Sequence, residues 1–362
     1  MKIKCILMMI QYVYGLSVGK LNAKQIVTIG PKSNTLEQFK EMNKVGANIF
    51  RINLSHSSRL NAMEYSELLN SMKRQSRDEL EIMADLQGVK FRIGEMEDNV
   101  VLKKNQEIRL DRRNEKGDKF RIPFPHSEVY SNISPGSILL LNDGKIKLEV
   151  IRQSNLCLIT KVKRGGELNS FKGVNIPYLQ LKNCKIPEKD MKDLQLINNC
   201  NIDIICLSFI NTVEDIDRIK KIITNKCKIF VKIETALAVD NLDEIIDNCD
   251  GIIVARGDLA LEVDYTQTPF IQKIAIKKAR TKGKEVIVAT EMLESMIINE
   301  TPTRAEICDV ANAILDGATG VMLSAETAMG NNPIRAIEVQ REIIETAEKY
   351  INEDEDLVCC VF

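Results

Sequence analysis

The chain has 362 residues, enough for two or three domains with a sizeable core. Lys+Arg number 50 against 51 Asp+Glu, so no global charge points to nucleic acid or an anionic membrane. Trp is absent and aromatics make up 5%, which argues against stacking platforms for single strands, and no stretch approaches the ~18 apolar residues of a membrane span.

Taken in order, the first 21 residues begin basic and then apolar, as an export signal would. Gln11 interrupts the run after Cys5–Ile10 and no A-x-A-like cleavage site follows, so a loosely packed N-terminal extension over 1–21 is expected. Short β-branched runs then recur at 25–30, 48–55 and 81–87. After a long gap they resume at 203–210, 229–234, 251–257, 285–292 and 320–327. Amphipathic helical stretches lie between most of them, such as 34–47, closed by Gly46, and 333–351, opened by Pro333. Eight apolar strands alternating with helices predict an α/β fold, a closed parallel (β/α)8 TIM barrel. A doubly wound sheet is the competitor, but no GxGxxG follows the first strand.

The gap, residues 95–175, shows alternation rather than helical periodicity, with turn signals at Asn142-Asp143-Gly144 and Gly165-Gly166. It predicts a small inserted all-β barrel domain, leaving 22–94 and 176–351 for the main barrel and 352–362 as an acidic tail. The last residues, CCVF, superficially fit a prenylation box, but the NEDED before them is acidic, so no lipid anchor is expected. The ten cysteines form no CxxC pair, as expected for free thiols of a reducing cytoplasm.

The segment IFVKIET, residues 229–235, is the most informative. Lys232 and Glu234 interrupt an otherwise dry strand, and residues two apart share a face, with about 6.5–7 Å between their α-carbons. Either alone reads as half of a structural ion pair, and a strand-end Asp or Ser reads as a helix cap. The pattern is broader, however. Polar residues recur at the C-terminal end of strand after strand: Arg51, Asn53, Ser55, His56; Asp85; Ser208; Lys232, Glu234; Arg256, Asp258; Thr290, Glu291; Ser324, Glu326. In a barrel of this kind that end carries the active site. Glu234 and Asp258 offer two hard oxygens for Mg²⁺, and Lys232 with Arg51 suits a phosphoryl group. Gly257 stands before a short helical turn whose N–H groups suit a carboxylate. These residue types point to a small phosphorylated acid plus Mg²⁺.

The chain also resembles the pyruvate kinase family. The resemblance rests on TIGPKS, FRINLSH, ADLQGVKFRIG, KGVNIP, FVKIE, VARGDLALE, ATEMLESM and TPTRAEICDVANAILDGATGVMLSAETA, in that order over about residues 24 to 350. It implies a (β/α)8 domain with an inserted β-barrel lid and Mg²⁺-assisted phosphoryl transfer from phosphoenolpyruvate to ADP, giving pyruvate and ATP. By the same resemblance, Lys232 stabilises the transferring phosphoryl, Arg51 grips the phosphate, and Glu234 and Asp258 hold Mg²⁺. Gly257, Asp258, Thr290 and Ser208 lie on the substrate side, with Thr290 near the enolate protonation step. Asn53, His56, Arg92 and Lys172 match nucleotide-side positions, and Asn53, Ser55, Asp85 and the Leu86 carbonyl match a K⁺ site.

Two departures from the family pattern stand out. Lys90 replaces the glutamate of K⁺-requiring members, so independence of K⁺ is expected; Val89, where the family has proline, has no explanation. The chain also ends where members continue into a C-terminal domain, so no effector site of that type is expected, and a homo-oligomer would form through the barrel domain. Two alternatives remain from the residues: an inactive, truncated binding or interaction protein of the same lineage, and a Mg²⁺-dependent barrel lyase acting on pyruvate enolates.

Overall fold

The computed structural model describes residues 22–75, 80–181 and 186–353. The expectations of an N-terminal extension over 1–21 and of an unlipidated CCVF end lie outside the described residues. Among the described residues no helix is long and apolar enough to cross a membrane.

Three strands open the chain: β1 (Lys24–Thr28), β2 (Ala47–Asn53) and β3 (Glu81–Asp85). Nine belong to the insertion: β4 (Phe91–Arg92), β5 (Val101–Leu102), β6 (Glu107–Asp111), β7 (Arg121–Pro123), β8 (Ile138–Leu141), β9 (Ile146–Gln153), β10 (Cys157–Arg164), β11 (Gly166–Glu167) and β12 (Gly173–Asn175). Five complete the set: β13 (Ile204–Leu207), β14 (Lys228–Ile233), β15 (Gly251–Ala255), β16 (Glu285–Ala289) and β17 (Gly320–Leu323). β1–β3 and β13–β17 close into one parallel barrel, in the order β1-β17-β16-β15-β14-β13-β3-β2. The predicted (β/α)8 barrel is therefore present. Every predicted strand runs past its observed C-terminal end; 251–257 stops as a strand at Ala255 and 285–292 at Ala289. At those ends the backbone turns away, into the helix Arg256–Glu262 and into positive φ at Thr290.

The helices follow their local chemistry. Thr35 and Gln38 form a capping box on Leu36–Lys44, and Gly46 leaves it at φ +117°. Pro333 opens Pro333–Glu353, whose buried stripe includes Ile337, Ile344 and Ala347. The helices pack on the outward faces of the strands in one large apolar core.

Inward-facing residues at every second position form three levels inside the barrel. The middle of the barrel is dry: Ile26, Ile49, Met83, Ile204, Cys206, Phe230, Ile253, Ile287, Ala289 and Met322. Phe230 fills the centre, and a Cβ on Gly251 would stand 2.7 Å from its ring, so only glycine fits there. Full burial of such a ring is worth about 2–3 kcal/mol. The N-terminal level is a ring of alternating charge on four alternate strands. Lys24 lies 2.6 Å from Glu81 and 3.2 Å from Glu285, and Lys228 lies 3.0 Å from Glu81 and 2.8 Å from Glu285.

This ring has a measurable consequence. Burial works against the Glu81 charge, but hydrogen bonds from Lys24 and Lys228 outweigh it and hold its pKa below 4.5. A lowered folded pKa contributes stability that is present above the unfolded value and lost as pH falls through the folded one. Glu81→Gln is expected to lower unfolding stability by about 1 kcal/mol at neutral pH, and by less at acid pH, where the parent carboxylate also loses its charge. Urea unfolding at neutral pH and near pH 3.5 checks this; equal losses at both would refute it.

In the inserted domain, a seven-stranded sheet runs β4-β12-β8-β9-β10-β6-β7, beside the two-stranded ribbon β11-β5. It has an apolar core of its own, with Phe124, Leu139 and Leu148 fully buried. Asn142, Asp143 and Gly144 all take positive φ and join the antiparallel β8 and β9, as the sequence predicts. Gly165-Gly166 is not a hairpin turn. Gly166 pairs with Leu102, and a Cβ on Gly165 would stand 2.1 Å from the Leu102 carbonyl oxygen, so glycine serves a close crossing. One helical turn, Ser127–Tyr130, interrupts the strands.

Candidate active site

The third level of the barrel, at its C-terminal mouth, is built around the buried Asp85 at the end of β3. Arg51 of β2 donates to Asp85 Oδ2 through Nε (2.8 Å) and Nη2 (2.6 Å). Its Nη1 donates to Thr28 Oγ1 (2.9 Å), and that hydroxyl donates to the Leu323 carbonyl (2.8 Å). Arg51 therefore spans β1, β2 and β3 with its guanidinium fixed. Ser208, one residue past β13, has its hydroxyl 2.7 Å from the Leu86 carbonyl and 3.1 Å from Asp85 Oδ1.

Lys232 of β14 donates to Ser208 Oγ (3.1 Å) and lies 2.7 Å from Glu234 Oε1 and 3.6 Å from Asp85 Oδ2. The shared strand face puts cation and anion together. Burial opposes the Lys232 charge, yet Asp85 and Glu234 outweigh it and raise its pKa above the ordinary lysine value. Asp85 is likewise held low against its burial by Lys232 and Arg51. Glu234 goes the other way. Burial raises its pKa, the Lys232 ammonium it shares with Asp85 compensates only in part, and the Asp258 charge adds to the rise. Its Oε2 accepts from the Phe209 N–H at 2.9 Å, while Oε1, though beside Lys232, takes no aligned hydrogen bond.

Asp258 and Gly257 lie at the start of the helix Arg256–Glu262, directly after β15. Gly257 N–H donates to Thr290 Oγ1 at 2.8 Å. Lys90, just before β4, has its ammonium 3.6 Å from Asp258 Oδ1 and 5.7 Å from the Phe209 ring centre. Asn53 Oδ1 accepts from the Ser55 N–H (3.1 Å), shaping the loop that carries Ser55 and His56. Burial, then Arg92, Lys90, Arg51 and Lys189, push the His56 pKa down. His56 is thus neutral at pH 7 in a cationic field, which suits an anion. Arg92 donates to the Phe171 carbonyl (3.1 Å) and Ile93 N–H to the Lys172 carbonyl (3.0 Å), so both basic residues sit where the inserted domain joins the barrel.

Three carboxylates, two ammoniums and a guanidinium at one end of a closed barrel, beside an inserted domain with basic residues at its base, are the parts of a phosphoryl-transfer site. The description "Pyruvate kinase, barrel domain" matches residues 21–337. The chain belongs to the pyruvate kinase family. It is similar to the pyruvate kinase of Methylorubrum extorquens, 40% identical over 327 residues, covering 90% of this chain and 68% of that one. The Thermotoga maritima pyruvate kinase is 38% identical over 333 residues, with 91% and 71% covered. Among solved structures, a Cryptosporidium parvum pyruvate kinase superposes with a TM-score of 0.87 at 32% identity, over 91% of this chain and 70% of that one. The comparisons favour neither the lyase nor the non-enzyme alternative.

Some partners in this family site carry no local sequence signal. Thr28 holds Arg51 only because β1 and β2 are neighbours. Glu262 is buried near the hinge, 3.4 Å from the Asn175 amide of β12, and burial pushes its carboxyl up to about 7. It links barrel to insertion. A cavity of about 420 Å³ opens beside this hinge, lined by Lys90, Asn175, Ser208, Phe209 and Glu262. Arg51, Lys232, Glu234 and Thr290 lie outside its lining.

Proposed function

We propose that this chain, as a pyruvate kinase, transfers the phosphoryl group of phosphoenolpyruvate to ADP at the mouth formed by Arg51, Lys232, Glu234, Asp258 and Thr290. The observation that carries this is the Lys232–Glu234 couple, an ammonium 2.7 Å from a buried carboxylate oxygen at the barrel mouth. The buried Glu234 carboxylate, facing Asp258, fits a divalent cation. Its pKa is raised by burial and by Asp258, so a cation lying between the two carboxylates would relieve both. Glu234 and Asp258 would hold Mg²⁺, which when bound neutralises developing charge on the phosphoryl oxygens. Lys232 and Arg51 orient the phosphoryl group from fixed positions, with no reorganisation left to do. His56, Arg92, Lys172 and Asn53 face the nucleotide phosphates, and movement of the insertion about the Asn175–Glu262 contact would bring Lys172 over them. Thr290 stands on the enolate side, where a proton must reach the methylene carbon. Formation of ATP from phosphoenolpyruvate and ADP with Mg²⁺ tests the reading; a folded chain that makes none rejects it.

Lys90 bears on the cation requirement. Its ammonium already stands by Asp258, while Arg51 and Lys232 occupy Asp85, and the Leu86 carbonyl is engaged by Ser208. At ~4 Å a fixed ammonium repels a further cation by about 4 kcal/mol at an effective dielectric of 20. The rate should therefore change little when K⁺ replaces a bulky organic cation, and Lys90→Glu should become K⁺-stimulated. Strong K⁺ activation of the unmodified chain would reject this assignment.

A further inference from the structure

The turn after β16 holds a conformation its residues do not favour. Thr290 and Glu291 are consecutive non-glycine residues with φ of 73° and 54°. For a β-branched threonine this region is sterically opposed, so something must impose it. The Thr290 hydroxyl is also pinned. It accepts from Gly257 N–H at 2.8 Å and lies 2.5 Å from the Ala289 carbonyl.

The imposing group is Arg256, at the end of the neighbouring strand. Its Nε and Nη2 donate to the Thr290 carbonyl at 3.1 and 2.5 Å. Nη2 also reaches the Glu291 carbonyl at 3.2 Å and lies 3.0 Å from Met292 Sδ. Nη1 lies 2.7 and 2.6 Å from the two carboxylate oxygens of Asp309, on the helix Arg304–Leu315. The guanidinium is largely buried, and all three of its nitrogens are used. A lysine, with one nitrogen on a flexible stem, cannot make this fork.

We propose that Arg256, anchored by Asp309, is the positioning residue that holds the Thr290–Glu291 turn and thereby places the Thr290 hydroxyl for proton delivery to the enolate. The inference rests on the function proposed above. Without the fork, the two carbonyls lose their donors, the turn relaxes toward negative φ, and the hydroxyl leaves Gly257. Arg51, Lys232 and Glu234 make none of these contacts and keep their hold on the phosphoryl group, whereas Asp258 shares the helix that Arg256 opens. The step affected is the second one. The enolate of pyruvate gains a proton at its methylene carbon from the Thr290 hydroxyl, which is reprotonated by solvent water, as the C2 carbonyl re-forms and the C2–C3 double bond becomes single. By microscopic reversibility the same geometry removes a proton from the pyruvate methyl group.

The test is deuterium uptake into the pyruvate methyl group in D₂O, followed by NMR with enzyme, Mg²⁺ and ATP, beside kcat and the KM for ADP. Arg256→Ala should lower exchange about 100-fold, the scale expected for a small misplacement of a reacting group, and Arg256→Lys about 10-fold. The KM for ADP should stay unchanged, and Asp309→Asn should give a smaller loss of exchange. Millimolar guanidinium should restore part of the Arg256→Ala activity, which a general packing defect would not allow. Where Arg256→Ala lowers the Tm, Arg256→Lys decides. Wild-type exchange in Arg256→Lys, with Thr290→Ala impaired, overturns the positioning role alone. Wild-type exchange in Thr290→Ala overturns the role of Thr290 and this inference with it.

Discussion

Lys232→Ala is expected to lower kcat at least about 10³-fold, the scale seen when a positive charge is removed from a phosphoryl-transfer transition state. The effect should be larger than the loss of one contact, because Lys232 is shared. It neutralises Glu234 at 2.7 Å and Asp85 at 3.6 Å, and it takes the Ser208 hydroxyl at 3.1 Å. Removing it leaves Asp85 to Arg51 and leaves Glu234 without an ion-pair partner among the described residues. Breaking a buried pair in this way costs about 3–5 kcal/mol of stability. Glu234, already raised by burial, would be driven further toward its protonated form, so the metal side would suffer as well. Lys232→Arg keeps the charge and should recover stability before activity, since a guanidinium cannot occupy the place of a compact ammonium. Rates of ATP formation read beside thermal unfolding separate the two losses. A Lys232→Ala protein working within about tenfold of the parent would sink the assignment of Lys232 to the transferring phosphoryl group.

The second large effect is expected at Glu234. The glutamine substitution is nearly isosteric, and its amide oxygen can still accept from Phe209 N–H, so the fold should tolerate it. What disappears is the negative charge. Arg51 and Lys232 would then face Asp85, and a divalent cation would be left with Asp258 as its one carboxylate in the proposed site. The dissociation constant for Mn²⁺, used as a spectroscopic stand-in for Mg²⁺, should rise at least about 100-fold in Glu234→Gln, more than the 10–100-fold typical of losing an outer-sphere partner. Electron paramagnetic resonance measures this without turnover. In the parent protein, a raised Glu234 pKa means that protons compete with the metal above the ordinary carboxylate range, so Mn²⁺ affinity should rise with pH there. Unchanged Mn²⁺ binding in the variant would move the metal away from Glu234.

Much of this site is legible as a pattern of strand ends. The run IFVKIET states that an ammonium and a carboxylate leave one strand on one face, and the structure holds them 2.7 Å apart. The helix caps, the Asn142-Asp143-Gly144 turn and the Pro333 helix start are legible for the same reason: each depends on neighbours within a few residues. Gly165-Gly166 misleads because glycine marks either a turn or a close approach, and only the position of Leu102 shows which. The predicted strands run too long because their last residues are polar or β-branched enough to pass for strand. The turn at Thr290 and Glu291, by contrast, takes its hydrogen bonds from Arg256, beyond the end of the neighbouring strand.

By itself, then, the sequence determined the eight strands, the all-β insertion and the set of charged residues at one end of the barrel. Those follow from side-chain period and local turn chemistry. Tertiary structure decided which charges meet. Arg51 joins Asp85, Lys90 joins Asp258, Arg256 joins Asp309, and Lys24 closes a ring with Glu285, 261 positions away. Such pairs depend on how the sheet closes and how its strands stagger, and no local pattern of residues carries that information.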